Sequence, residues 1–276
     1  MTDFQTPRRD NPFQQAETLG SAICELAEEH GLPSENAVQA MTAIMNSLVV
    51  EPNSVFPDPP SYIRELRPVQ GEIALPTRST HQFFDVVKGR ASRRDFGTDP
   101  LELSRLEALL VWTMGCRSET IAYDWRGAPQ RYIPSAGGLA SVDAYVIANQ
   151  IPELERGSYY FDYRQGLVPI SKGYMAQKVA DLMPGQDWVA RAAAVVIFVG
   201  NIDRLTHKYG AMAFKLMMLD AGVAVGHAEL VATALELRAT VLGGLPAAEL
   251  KKLLRLDGDD RVPLATLTVG TRSGHE

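Results

Sequence analysis

The chain has 276 residues, with 27 lysines and arginines against 33 aspartates and glutamates, a formal charge of −6 and 46% apolar residues. At roughly 150 residues per domain this is just under two domains, or one large domain with an extension, and the composition excludes extended disorder. The two cysteines, Cys24 and Cys116, cannot make a disulfide framework or a four-thiolate zinc site, so a reducing, cytoplasmic setting is expected. The acidic balance argues against a duplex nucleic acid partner. No uninterrupted apolar run suggests a membrane span, and MTDFQTPRRD lacks the apolar stretch of a secretory signal.

Residues 1–76 read as a helical extension with a proline-rich linker, and residues 77–276 as the main domain. Leu19, Ile23 and Leu26 have helical spacing, and Ser34 is a predicted N-cap for a second helix towards Val50. Pro52–Pro60 is too irregular for helix or strand. Helices are then predicted at Phe83–Lys88, Leu103–Thr113 and Tyr174–Met183, the last closed by Pro184-Gly185. Strands are predicted at Ala144–Ala148, Ser158–Tyr163 and Ala194–Gly200, which are rich in β-branched and aromatic residues. Ala211–Leu237 is apolar on most faces and is expected to be one long, buried helix. A strand at Ala239–Leu242, a helix at Pro246–Leu254 and a strand at Leu264–Val269 complete an α+β pattern without repeats.

Four stretches carry residues suited to chemistry. In Gly89–Phe96, Arg90, Ser92 and Arg94 supply two guanidiniums and a hydroxyl, either a phosphate cradle or a solvated basic loop. In Pro134, Ser135, Ala136, Gly137, Gly138 and Leu139, small residues let a backbone approach a flat ligand or simply turn into a strand. Gly243 and Gly244 follow a strand and precede a helix, either an anion-facing helix start or an ordinary βα turn. Lys208 and Tyr209 precede the long helix; for Lys208 to act as a base it needs burial or a cationic neighbour. The histidines show no metal-ligand spacing, no metal is expected, and His227 reads as a satisfied core histidine. Neither G-x-G-x-x-G after a strand nor a P-loop occurs. Gly222 and Gly226 among alanines allow a close helix–helix approach, within the fold or across a dimer.

Taken in order over about residues 80–272, these stretches resemble the nitroreductase superfamily, and within it the SagB-type azoline dehydrogenases. The residues concerned are Arg90, Ser92, Arg94 and Phe96; Pro134 to Leu139; Lys208-Tyr209; Leu219-Asp220-Ala221-Gly222; and Gly243-Gly244 before a strand ending at Gly270. The resemblance implies a homodimeric α+β fold with an antiparallel-type central sheet flanked by helices, a long dimer-forming helix, and one FMN at each subunit interface. It implies that Arg90, Ser92 and Arg94 hold the FMN phosphate, with Arg272 assisting. The backbone from Pro134 through Ser135, Ala136, Gly137 and Gly138 would then lie along the isoalloxazine, with Gly243 and Gly244 also touching the flavin.

It further implies oxidation of thiazoline or oxazoline rings to thiazoles or oxazoles in a ribosomally made peptide. Lys208 and Tyr209 would serve the proton transfer, dioxygen would be the acceptor, and a YcaO-type cyclodehydratase is the partner to consider. The chain departs from the family at Met212, Phe214 and Lys215, where an arginine-rich turn of the pattern R-x-Y-R is usual, at Val223 and Gly226-His227, and at Ala140-Ser141. Two other functions compete: a general NAD(P)H-dependent nitroreductase or flavin reductase, and a flavin-free scaffold subunit of a peptide-modifying synthetase.

Overall fold

A computed structural model describes residues 81–122, 125–182, 185–210, 212–243, 246–258 and 260–272. The predicted N-terminal helices and proline-rich linker lie outside these residues. In chain order the elements are α1 (Gln82–Gly89), α2 (Leu103–Met114), β1 (Cys116–Ala122), β2 (Trp125–Arg131), β3 (Val142–Ala148), β4 (Gly157–Asp162), β5 (Gly166–Lys172), α3 (Ala176–Asp181), β6 (Ala194–Asn201), α4 (Asp203–Tyr209), α5 (Met212–Ala234), β7 (Arg238–Leu242), α6 (Ala247–Leu254) and β8 (Arg261–Gly270).

Six strands form one sheet in the order β5-β4-β3-β6-β8-β7, and every neighbouring pair is antiparallel. The central strands β3 and β6 are buried along their whole length. Their side chains divide by the period of two that a pleated strand imposes. Val142, Ala144 and Val146 with Ala194, Val196 and Phe198 meet α2 and α5, whereas Tyr145 and Ile147 with Val195, Ile197 and Val199 meet α3, the 3-10 turn Asp187–Arg191 and α6. The fold is therefore an antiparallel sheet with helices on both faces, as expected.

Four elements escaped the sequence reading, two of them as one hairpin, and each for a local reason. The separate hairpin of β1 and β2 is built from CRSETIA and WRGAPQR, which hold charges, Gly127 and Pro129 where β-formers are usual. β5 contains Pro169, which an edge strand tolerates because its missing N–H costs no ladder bond there. α4 spans seven residues and buries only Leu205, too little for a periodic signal.

The long helix needs a correction. α5 buries a stripe at Ala213, Met217, Asp220, Ala221, Ala224, Ala228 and Ala232, against β3, β6, β7 and β8. Its other side is open: Met212, Leu219 and Val223 are among the exposed large apolar residues. Among the described residues the helix is half-buried, since one sheet face can cover only one side of a cylinder. Gly222 and Gly226 lie on the open side, where a side-chain carbon would meet no atom of the described residues within 4 Å. The close approach they permit is thus not used within the described residues. By length and composition α5 would also suit a membrane span, but its buried alanines and Asp220 identify it as the core helix of this sheet. His227 is half-buried rather than in the core, and its Nε2 lies 3.1 Å from the carbonyl oxygen of Trp112.

Candidate functional site

The turn after β2 is the most constrained of the predicted stretches. Gly137 and Gly138 adopt φ of 59° and 70°, a region that glycine enters without steric cost. Ala140 follows at φ 49°, where a β-carbon is strained. Its polar groups are both held: its N–H donates to Ser135 Oγ at 3.0 Å, and its carbonyl accepts from Arg204 Nη1 at 2.6 Å. From the opposite side, Asp220 of α5 accepts from the Ala136 N–H at 2.9 Å and from the Ser141 hydroxyl at 2.6 Å. Burial pushes the Asp220 carboxyl above the usual aspartate range, and those two hydrogen bonds oppose the shift. A cavity of about 10 Å³ lies between Arg131, Ser135, Ser141 and Asp220, the room one water requires.

Arg204 continues into a buried charge cluster. Its fork grips Asp143 of β3 with both nitrogens at 2.9 Å, and the Asp143 side chain is only 2% exposed. Arg131 and Arg261 stand 3.8 and 3.9 Å from the same carboxylate. Arg131 also donates to the Met114 carbonyl oxygen, while its Nε is buried with no hydrogen-bond partner among the described residues. Burial lowers the Arg131 guanidinium below its usual range, against the pull of Asp143. The neighbouring Tyr160 phenol is pushed up to about 12, first by burial and then by Asp143.

The basic stretch is organised differently. Its backbone is pinned to β7, with Arg93 N–H donating to the Ala239 carbonyl oxygen at 2.7 Å and the Thr240 hydroxyl donating to the Arg93 carbonyl oxygen at 2.6 Å. The side chains of Arg90, Ser92 and Arg94 stay exposed. Arg90 is 3.6 Å from Glu229 of α5, and the Arg94 guanidinium lies 5.7 Å from the ring centroid of Trp188. The two guanidiniums thus engage partners on opposite faces of the sheet. Gly243 is open and follows β7; Gly244 lies outside the described residues. Arg272 follows β8 at the other end of the β7–β8 pair, since Arg238 pairs with Gly270 and Leu242 with Thr266.

Lys208 and Tyr209 close α4. Lys208 is exposed rather than buried, with Nζ 4.9 Å from the centroid of the Tyr209 ring, and Tyr209 packs against the core. Gly210 ends the helix at φ 52° and ψ −132°, and its N–H donates to the Thr206 carbonyl oxygen at 2.9 Å. Arg204, one turn earlier on α4, joins this helix to the glycine turn through Ala140.

The sequence reading missed Asp143, Arg204 and Arg131, and assigned no contact to Asp220. One signal was available: Asp143 interrupts an otherwise apolar strand, and a carboxylate there demands a cation.

The chemistry on offer is a glycine-lined backbone surface, a row of exposed cations along a sheet edge, and a Lys-Tyr pair joined to that surface. The donor set suits a flat, anionic ligand. The sequence model of the nitroreductase family matches residues 87–271. A Methanocaldococcus jannaschii protein provisionally named a nitroreductase is 28% identical over 202 residues, which are 73% of this chain and 96% of its own. A provisionally named nitroreductase from Ralstonia eutropha superposes with a TM-score of 0.58 at 25% identity, over 73% of this chain and 89% of that one. The Escherichia coli microcin synthetase McbBCD complex, with truncated pro-MccB17 bound, contains a chain of the same fold, with a TM-score of 0.55 at 16% identity over 79% of this chain and 84% of that one. The match over the sheet, the glycine turn and the basic stretch together means that this chain belongs to the nitroreductase family, whose oxidoreductases are generally flavin-dependent.

Proposed function

We propose that the chain is an FMN-dependent azoline dehydrogenase, oxidising thiazoline or oxazoline rings in a ribosomally made peptide to thiazoles or oxazoles. The observation that carries this reading is the bond from Arg204 to Ala140, which ties the helix of Lys208-Tyr209 to the glycine turn. The fold shared with a chain of the microcin synthetase complex supports it.

In this reading Arg90, Ser92 and Arg94 would hold the FMN phosphate with help from Arg272, Arg90 leaving Glu229 and Arg94 leaving the Trp188 ring to reach it. The Pro134–Gly138 backbone would lie along the flavin, and Gly243 and Gly244 would also contact it. When bound, FMN supplies the two-electron acceptor, with dioxygen as the terminal oxidant. The ring gives up a proton from its α-carbon and a hydride from the adjacent carbon, and becomes aromatic. Lys208 or Tyr209 takes the proton. Peptide covering the exposed ammonium would remove water from it and bring its proton affinity towards the useful range. The open side of α5 would meet a second copy, making the homodimer, and a YcaO-type cyclodehydratase would supply the azoline.

Anaerobic visible absorption tests the reading. A thiazoline-bearing peptide should bleach the flavin band while NADPH acts slowly. Lys208→Ala and Tyr209→Phe should each slow bleaching by about 100-fold or more with flavin retained. Bleaching by NADPH alone, indifferent to both substitutions, would establish the reductase function carried in the relatives' provisional names. Protein that stays colourless after expression with excess riboflavin would favour the scaffold.

A further inference from the structure

We infer that Arg204 is the positioning residue that holds Lys208-Tyr209 in register with the glycine turn, acting through Asp143; the inference rests on the proposed function above. α4 has seven residues, no side-chain cap at Ile202, and Leu205 as its one buried residue. A helix this short has little intrinsic stability, so its placement comes from tertiary contacts. Backbone bonds hold the approach to the helix, from the Asn201 N–H to the Ser141 carbonyl oxygen at 2.7 Å and from the Ile202 N–H to the Asp260 carbonyl oxygen at 3.0 Å, and the side-chain contact that Arg204 adds is a three-way one. Arg204 Nη1 reaches Asp143 Oδ1 at 2.9 Å and the Ala140 carbonyl oxygen at 2.6 Å, while Nη2 reaches Asp143 Oδ2 at 2.9 Å.

The anchor is rigid at its far end. Asp143 is on a central strand, in register with Val199 of β6. The planar fork of arginine satisfies both carboxylate oxygens and has a donor left for Ala140; a lysine ammonium has no such geometry. Ala140 stands in the left-handed region, so the bond also holds a strained residue of the turn. Lys208 is four residues beyond Arg204, about 6 Å along the same side of the helix. Rotation of that guanidinium would therefore move the turn and the Lys-Tyr pair relative to each other. Misplacement by about 1 Å is enough to cost about 100-fold in rate.

The experiment uses the full-length flavin-loaded protein, as wild type, Arg204→Gln and Arg204→Lys. Amide hydrogen exchange over residues 203–210 and 135–141 reads the clamp directly, and peptide-driven bleaching reads its consequence. Arg204→Gln should speed exchange in both segments together, keep the flavin band, and lower kcat by about 100-fold with KM little changed. Arg204→Lys, with charge but no fork, should recover only part of the rate, and it serves alone if the glutamine variant fails to fold. Faster exchange in residues 203–210 alone, unchanged exchange in both, or an unchanged kcat would overturn the inference. If the wild type is not bleached by peptide, the azoline reading fails, while the exchange data and NADPH-driven bleaching still decide whether the clamp exists and matters.

Discussion

The glycine turn at Pro134–Leu139 and the basic stretch at Gly89–Phe96 serve the same proposed ligand but are built in contrasting ways. The turn is held by side chains around it: Ser135 Oγ, the buried Asp220, and Arg204 backed by Asp143. What it presents outward is backbone, with Gly137 and Gly138 exposed. In the basic stretch the backbone is pinned to β7 and the cationic side chains project into solvent. The contrast follows from what each would do. Laying a backbone against a flat ring needs shape fixed in advance, whereas neutralising a phosphate needs charges that can adjust. Stability should thus depend on the turn's buried partners, and ligand affinity on the exposed arginines.

The largest test of that division is Asp143→Ala. It strips the carboxylate from Arg204 and from Arg131, whose side chain is 7% exposed. Leaving buried guanidiniums uncompensated should cost about 3–5 kcal/mol, seen as a lower urea midpoint. A midpoint near wild type would mean that the turn does not depend on buried charge, and the comparison would collapse.

Asp220→Ala comes next. It orphans the Ala136 N–H and the Ser141 hydroxyl, at a cost of about 1–3 kcal/mol. Asp220→Asn should be milder, because the amide oxygen can accept from Ala136 while its NH₂ donates to Ser141. The two forms should also differ in pH dependence. The folded state binds the Asp220 proton more tightly than the unfolded chain does, because burial raises its pKa. Wild-type stability should therefore rise relative to Asp220→Asn as the pH falls from above that raised value to below the ordinary aspartate value. A difference that is flat over this window would show that the carboxylate is not strained by burial.

Arg90→Ala and Arg94→Ala should have the smallest effect on stability, within about 0.5 kcal/mol, since both side chains are exposed. Each should weaken flavin retention by about tenfold and reduce its sensitivity to salt. Destabilisation as large as that of Asp220→Ala would erase the distinction between the two regions.

How much could be read in advance divides along similar lines. Strands such as Ala194–Asn201 and helices such as Leu103–Met114 announce themselves, because their period or β-branched content is local. Most element ends were off by one to three residues, where caps rather than periods decide. β5 hid behind Pro169, and the β1–β2 hairpin behind a composition with no strand signal. The openness of one side of α5 was hidden too, because apolar residues on most faces do not say which face a single sheet will cover.

By itself, the sequence determined the α+β class, the order of the main elements, and the four stretches whose succession marks the family. Only the tertiary structure decided what holds them. Asp220 meets Ala136 across 84 positions of chain, Arg204 meets Asp143 across 61, and Thr271 donates to the Asp99 carbonyl oxygen across 172. Periodicity and turn chemistry are properties of neighbours along the chain. The partner of a buried charge is chosen by which strands lie side by side, and that choice exists only once the sheet has formed.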